Sequence, residues 1–231
     1  KVTENLNHFD TINVCSAQIN YKVRLTDVSG CESVSNIQGG VYTDTKSPEE
    51  PLIDSISVLP DGKTILAWKI PVDKDVVKYE IQYRTSAGTN TVMDVASGRT
   101  TTAYTYTLAA ANSTSVGIFA GAIDSCNRSS TLNYNLNTMF LKTEYNRCSH
   151  TTTLSWNNYL FIQNGILEYR IYYSTDSVNF KLVGSSTQNT YVHSNVDGGK
   201  NVCYFVRVIN NPKSITASSN RVYFFTSEAQ I

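Results

Sequence analysis

The chain has 231 residues, 41% of them hydrophobic, with Lys plus Arg at 19, Asp plus Glu at 19 and a formal net charge of +0. That length exceeds one small sandwich and suits two or more domains of about 100 residues, and the apolar content suffices for packed cores. Zero net charge argues against the basic face a nucleic-acid binder needs and against the polybasic patch of a membrane-surface protein. No apolar run is long enough to span a bilayer, so direct membrane insertion is not expected. The chain opens at Lys1 without a signal pattern, as expected of a mature or excised segment.

Period-two alternation runs through the sequence and helical periodicity is nearly absent. Tyr21, Val23 and Leu25 alternate in NYKVRLTD, with no Leu-x-Trp strand before them. The charged, proline-bearing stretch from Lys46 to Pro51 reads as a linker. Beyond it come Leu66 and Trp68, then Val77, Tyr79, Ile81 and Tyr83 on one strand face, then Ile118, Ala120 and Ala122. A second boundary is expected near Asn137, before a strand at Thr138-Met139-Phe140-Leu141. The pattern then repeats: Leu154 and Trp156, then Leu167, Tyr169, Ile171 and Tyr173, then Tyr204, Val206 and Val208. KYEIQYR and EYRIYYS look like copies, and repeats of this length mean arrayed units. The expected division is 1–47, holding only the last strands of a domain, then 48–137 and 138–231 as complete sandwiches of seven strands.

A Trp on the second strand, Tyr-x-Ile-x-Tyr on the third and Tyr-x-Val-x-Val on the sixth resemble the fibronectin type III domain. All three occur in the last unit, whereas Ile118 replaces the sixth-strand tyrosine in the middle one. That tyrosine's hydroxyl ties a loop corner to backbone in the family, so a looser corner is expected there. The resemblance implies an all-β chain of tandem immunoglobulin-like sandwiches and is almost silent on activity. A narrower resemblance rests on NTMFLKTEYNRC, LSWNNY, LEYRIYYSTDSVNFKLVG, CYFVRV and ASSNRVY. These look like stalk domains of very large surface proteins of gliding Bacteroidota, exported by type IX secretion. Nothing like the sorting domain of those proteins follows Ser227, so the resemblance implies an internal piece.

No catalytic, cofactor or metal constellation stands out. His8, His150 and His193 lack a second ligand at metal spacing, and Glu80 and Glu168 alternate with inward tyrosines and so point to solvent. Asp73 and Asp75 are two oxygens' worth of a calcium site that needs six or more, and read as a solvated loop. Asn112 and Asn127 head sequons that matter only in a eukaryotic secretory pathway. Under the bacterial resemblance, O-glycans are expected at Thr11, Ser55 or Ser177, each following an Asp and preceding an apolar residue. The plainer reading of each is a turn motif.

The five cysteines, Cys15, Cys31, Cys126, Cys148 and Cys203, have no CxxC spacing and imply an oxidising compartment. In a fibronectin type III sandwich the loops holding Cys148 and Cys203 share one pole, which implies a bond between them. The same fold lets Cys15 meet Cys126 of the next domain, with Cys15–Cys31 as the alternative. The apolar run Tyr159-Leu160-Phe161-Ile162 after Trp156 is expected to pack against the preceding domain, the alternative being a ligand site. The expected function is a structural or adhesive stalk segment of a secreted or cell-surface protein, outer membrane-associated, and not an enzyme. Its partners would be upstream sequence or another chain completing the opening half-domain, and a cell-surface or glycan ligand. A receptor-type ectodomain and an accessory region of a secreted polysaccharide-degrading enzyme are the alternatives, which flanking sequence would discriminate.

Overall fold

The computed structural model describes residues 7–12, 14–84, 90–107, 109–132, 137–160 and 162–228. Among these the chain is all-β apart from a short 3-10 turn, Ala109–Asn112. The opening region contributes β1 (Ala17–Tyr21), β2 (Arg24–Thr26), β3 (Glu32–Val34) and β4 (Gln38–Tyr42). β1 pairs with β4 and β2 with β3, both antiparallel, giving one long hairpin interrupted around Val23. Asp27 shapes its tip, where its carboxylate accepts from the backbone N–H groups of Ser29 and Cys31 at 2.8 and 2.9 Å. Val23, Leu25 and Val41 remain 67–69% exposed, so among the described residues no second layer covers the alternating hairpin.

The middle sandwich is built from β5 (Ile53–Val58), β6 (Thr64–Trp68), β7 (Val76–Arg84), β8 (Asn90–Ser97), β9 (Ala103–Tyr106) and β10 (Gly117–Asp124). One sheet runs β5-β6-β9 and the other β10-β7-β8. Alternate residues of both sheets meet in one core, with Trp68 against Tyr79 at a ring separation of 5.0 Å. The Tyr79 hydroxyl leaves that core by donating to the Arg99 carbonyl at 2.7 Å. The Arg99 guanidinium in turn donates to the carbonyls of Pro71 and Asp73, fixing the loop between β6 and β7.

The last sandwich repeats the plan with β11 (Leu141–Asn146), β12 (Thr151–Trp156), β13 (Ile166–Ser174), β14 (Lys181–Ser186), β15 (Thr190–His193), β16 (Asn201–Asn210), β17 (Thr216–Ser218) and β18 (Val222–Phe225). Its sheets are β11-β12-β15 and β14-β13-β16-β17, with β18 also on β16. Trp156 and Tyr169 form the counterpart ring pair at 5.2 Å. Between β17 and β18, both paired with β16, the connection comes close to β11. There the Asn220 side chain accepts from Leu141 N–H at 2.6 Å and donates to Leu141 C=O at 3.2 Å, closing the sandwich edge. Both units carry the strand order of a fibronectin type III-like sandwich, and the chain is a tandem array of them.

Several expectations are corrected. Val77 is 43% exposed while Val76 is buried, because the β10–β7 register shifts at that point and reverses the alternation. A shift between Ile166 and Glu168 likewise takes Leu167 out of line with Tyr169. The middle unit shows six strands among its described residues. Where a seventh would run, Ser129 bridges Ile123 and Ser130 N–H donates to Ala122 C=O, while 133–136 lie outside the described residues. The Tyr204 hydroxyl does not reach backbone. It meets His193 Nδ1 at 2.8 Å and donates to Thr152 Oγ1 at 3.4 Å, linking β16 to the opposite sheet.

The expected Cys148–Cys203 bond is absent, both thiols being free. Val202 and Tyr204 point into the core, so Cys203 between them faces the outer side of its sheet. Cys148 sits exposed in the turn between β11 and β12 of the other sheet, and a sandwich is about 10 Å thick.

Candidate functional site

The side chains that do most beyond their own sandwich lie at the two joints. β5 is an edge strand, and Ile56 turns its N–H and C=O away from β6. Tyr159 of the last unit meets both groups: its hydroxyl accepts from Ile56 N–H at 2.7 Å and donates to Ile56 C=O at 3.2 Å. An edge strand's open backbone groups are thereby satisfied by one side chain from the neighbouring unit. Tyr159 is 5% exposed, and burial pushes its phenol well above the ordinary range, so it stays protonated and able to donate.

Further bonds surround this one. Gln163 donates to the Asp54 carboxylate at 3.4 Å and accepts from Lys69 Nζ at 2.9 Å, and Ser218 N–H donates to Ser57 Oγ at 3.1 Å. The connecting chain is zipped to the middle unit as well: Val116 N–H donates to Thr138 Oγ1 at 2.9 Å, and Thr138 N–H to Val116 C=O at 2.8 Å. This pairing takes residues 138–140 out of the expected strand, which begins at Leu141. Of the apolar run after Trp156, Tyr159 crosses the joint. Ile162 packs in its own unit's core, Leu160 stays 42% exposed, and Phe161 lies outside the described residues.

At the other joint a disulfide connects Cys15 to Cys126, with Cα atoms 4.7 Å apart. Beside it the linker is held to the middle unit. Arg128 Nε donates to Asp44 C=O at 3.1 Å, Glu49 N–H donates to the Asp73 carboxylate at 2.7 Å, and Lys46 Nζ lies 3.3 Å from the same carboxylate. The backbone donor of Glu49, with Lys46, holds Asp73 below the usual carboxylate range. Asp73 is therefore occupied in tethering the linker, and Asp75 turns elsewhere, toward Asp44 and Asp124. Cys31 is free and exposed in the turn between β2 and β3.

The remaining sequence candidates are dispersed. Thr11 and Ser177 are exposed outside strands, the latter in the turn between β13 and β14 with φ of 63°. Asp176 before it accepts from Val178 and Asn179 N–H, an Asx-type turn that holds its carboxyl far below the usual range, chiefly through Asn179. Ser55 lies half-buried in β5, on the same face as Ser57, which bonds to β17. His193 is half-buried and burial depresses its pKa; His150 stands 3.5 Å from the Tyr145 hydroxyl; His8 is exposed. Glu168 pairs with Arg170 at 2.7 Å along one strand.

One feature escaped sequence reasoning altogether. On the outer face of the last unit Tyr172 and Phe205 stack at 4.7 Å and 3°. Arg207 lies over Tyr172 at 5.5 Å, and Arg221 over Phe180 at 4.6 Å. Each cation–π contact contributes about 0.5–1 kcal/mol at a partly exposed site and stiffens the sheet. The only sequence signal was that Phe205 and Arg207 fall on the strand positions between the core residues Tyr204, Val206 and Val208.

No protein-family model matches the chain, and no curated protein matches it. Among solved structures, the FN1–FN3 domains of chicken CNTN1 align over 90% of this chain and 78% of their own, at 11% identity and a TM-score of 0.34. A two-domain fibronectin type III segment of chicken tenascin aligns over 78% of this chain and 100% of its own, at 13% identity and a TM-score of 0.32.

Proposed function

We propose that this chain is a non-catalytic stalk segment of a large secreted or cell-surface bacterial protein, a spacer that carries adhesive elements away from the membrane. The observation that carries this reading is the Tyr159–Ile56 clamp. Directional hydrogen bonds between consecutive sandwiches restrict their relative motion, which is what a spacer requires and a flexible linker lacks. The cystine between Cys15 and Cys126 supports an oxidising, extracellular compartment. The source among gliding, type IX-secreting Bacteroidota rests on the sequence strings quoted above. In this reading residues 1–47 are the closing hairpin of a sandwich whose other strands, from upstream sequence or another chain, cover Val23, Leu25 and Val41.

The test is Tyr159→Phe in the full chain. The variant keeps the ring and its packing but leaves Ile56 N–H and C=O without their partner, at a cost of about 1–3 kcal/mol to the joint. Circular dichroism should show both sandwiches folded, while small-angle scattering shows a broader distribution of shapes. An unchanged distribution would remove the spacer reading.

The same reading expects O-glycans at Thr11 and Ser177, which are exposed, ahead of half-buried Ser55. Intact-mass spectrometry of native protein without a hexose-type increment would count against them.

A further inference from the structure

We propose that Asp44, Asp75 and Asp124 bind a calcium ion at the joint between the opening and middle units. The three carboxylates come from separate elements. Asp44 lies in the linker after β4, Asp75 just before β7, and Asp124 ends β10. One oxygen from each lies within 4.8 Å of the others. Ligand oxygens around calcium sit about 2.3–2.6 Å from the ion, so two on opposite sides are about 5 Å apart and the observed spacing fits.

Asp124 supplies the independent reason to expect a cation. Its side chain is 1% exposed, and one oxygen accepts from the N–H groups of Cys126 and Arg128, both at 2.8 Å. The other oxygen, Oδ2, is buried and has no hydrogen-bond partner among the described residues. A buried carboxylate oxygen without a donor is costly, and two further carboxylates beside it make the site more repulsive. No lysine or arginine among the described residues forms an ion pair with any of the three. Lys46 is engaged with Asp73, and Arg128 Nε donates to the Asp44 carbonyl rather than to a carboxylate. Burial, followed by the charges of Asp124 and Asp44, raises the Asp75 carboxyl above its ordinary range. A proton is therefore the rival neutraliser.

The donor set selects the metal. Three carboxylates with no imidazole beside them suit a hard cation, and Cys126 is taken up in its disulfide and offers no thiolate. Asp44 and Asp75 also line an open cavity of about 310 Å³, which leaves room for the water ligands that complete a calcium shell. Magnesium demands nearer-ideal octahedral geometry than three separate elements readily supply. The ion would join linker, loop and strand end two residues from Cys126, so metal and disulfide would lock the same joint.

The experiment is calorimetric titration of the chelator-treated full chain with calcium, and in parallel with magnesium. One calcium per chain is expected, with a dissociation constant of about 10⁻⁴–10⁻³ M, the range of extracellular calcium modules, and weaker magnesium binding. Calcium at about ten times that constant should raise the melting temperature of the middle sandwich by roughly 6–11 °C. Asp124→Asn and Asp75→Asn should each weaken binding at least about tenfold, whereas Asp61→Asn, in the exposed turn between β5 and β6, retains it. Asp75 is only half-buried, so its variant provides the test even if Asp124→Asn fails to fold. Absence of saturable calcium binding by the wild-type chain, or binding that survives Asp75→Asn, overturns the proposal and leaves the proton as the neutraliser. The result is independent of the Tyr159 experiment.

Discussion

Trp156→Ala is expected to destabilise the last sandwich by about 3–5 kcal/mol, the usual cost of deleting a large buried ring. The residue is 6% exposed and shares its core with Met139, Leu141, Tyr159 and Tyr169. β12, which carries it, lies between β11 and β15, so neighbouring strands fix the backbone on both sides and limit collapse into the cavity. A domain this size has roughly 5–15 kcal/mol in total, so the loss is a large fraction of what holds the unit together. The middle sandwich has its own ring pair, Trp68 and Tyr79, in a separate core. Calorimetry should therefore resolve two transitions in the variant, one lowered by roughly 12–40 °C and the other near its wild-type position. A single transition moving as a whole would show instead that the Tyr159 joint couples the sandwiches into one cooperative block.

The two cores were legible because strand alternation has a fixed period and few ways to fail. Leu66, Tyr79, Ile81, Leu154, Tyr169, Ile171, Tyr204, Val206 and Val208 are each at most 2% exposed, as their every-second spacing requires. Where the reading failed, a register shift intervened. The bulges at the start of β7 and β13 misplace Val77 and Leu167, and no residue type there announces them. Cys203 was misassigned for a different reason. The two loops share a pole, but the core position of Tyr204 assigns its neighbour Cys203 to the outer side of the sheet. The joints were least legible. An apolar run marked Tyr159, but its bonds to Ile56 backbone depend on an open strand edge in another unit. Asp44, Asp75 and Asp124 converge only once the linker is docked, and only Asp75 carried any local signal.

Replacing Cys15 with Ser should free the opening hairpin from the middle sandwich, and trypsin provides a direct reading. Lys46 is exposed in the linker and precedes Ser47, so cleavage there separates the hairpin from everything after it. In the wild-type chain the hairpin fragment should stay attached through Cys15–Cys126 on a non-reducing gel and leave only when thiol is added. In Cys15→Ser it should leave at once. The same gel discriminates the rival connectivity, because a Cys15–Cys31 bond lies wholly within the hairpin and would let it go without reductant. The cleavage rate carries the energetics. A disulfide across a long loop contributes about 2–4 kcal/mol, and protease attack in the fast-opening regime follows the population of the open form. Cleavage at Lys46 should therefore quicken by roughly 30- to 700-fold in the variant. The melting temperature of the middle sandwich should scarcely change, because Cys126 lies beyond the end of β10 and outside the core. Cys31→Ser, at an exposed free thiol in the hairpin turn, should leave rate and gel as in the wild type. Equal cleavage rates in the Cys15→Ser and wild-type chains would mean that the linker bonds of Asp44, Asp73 and Arg128 hold this joint without the cystine.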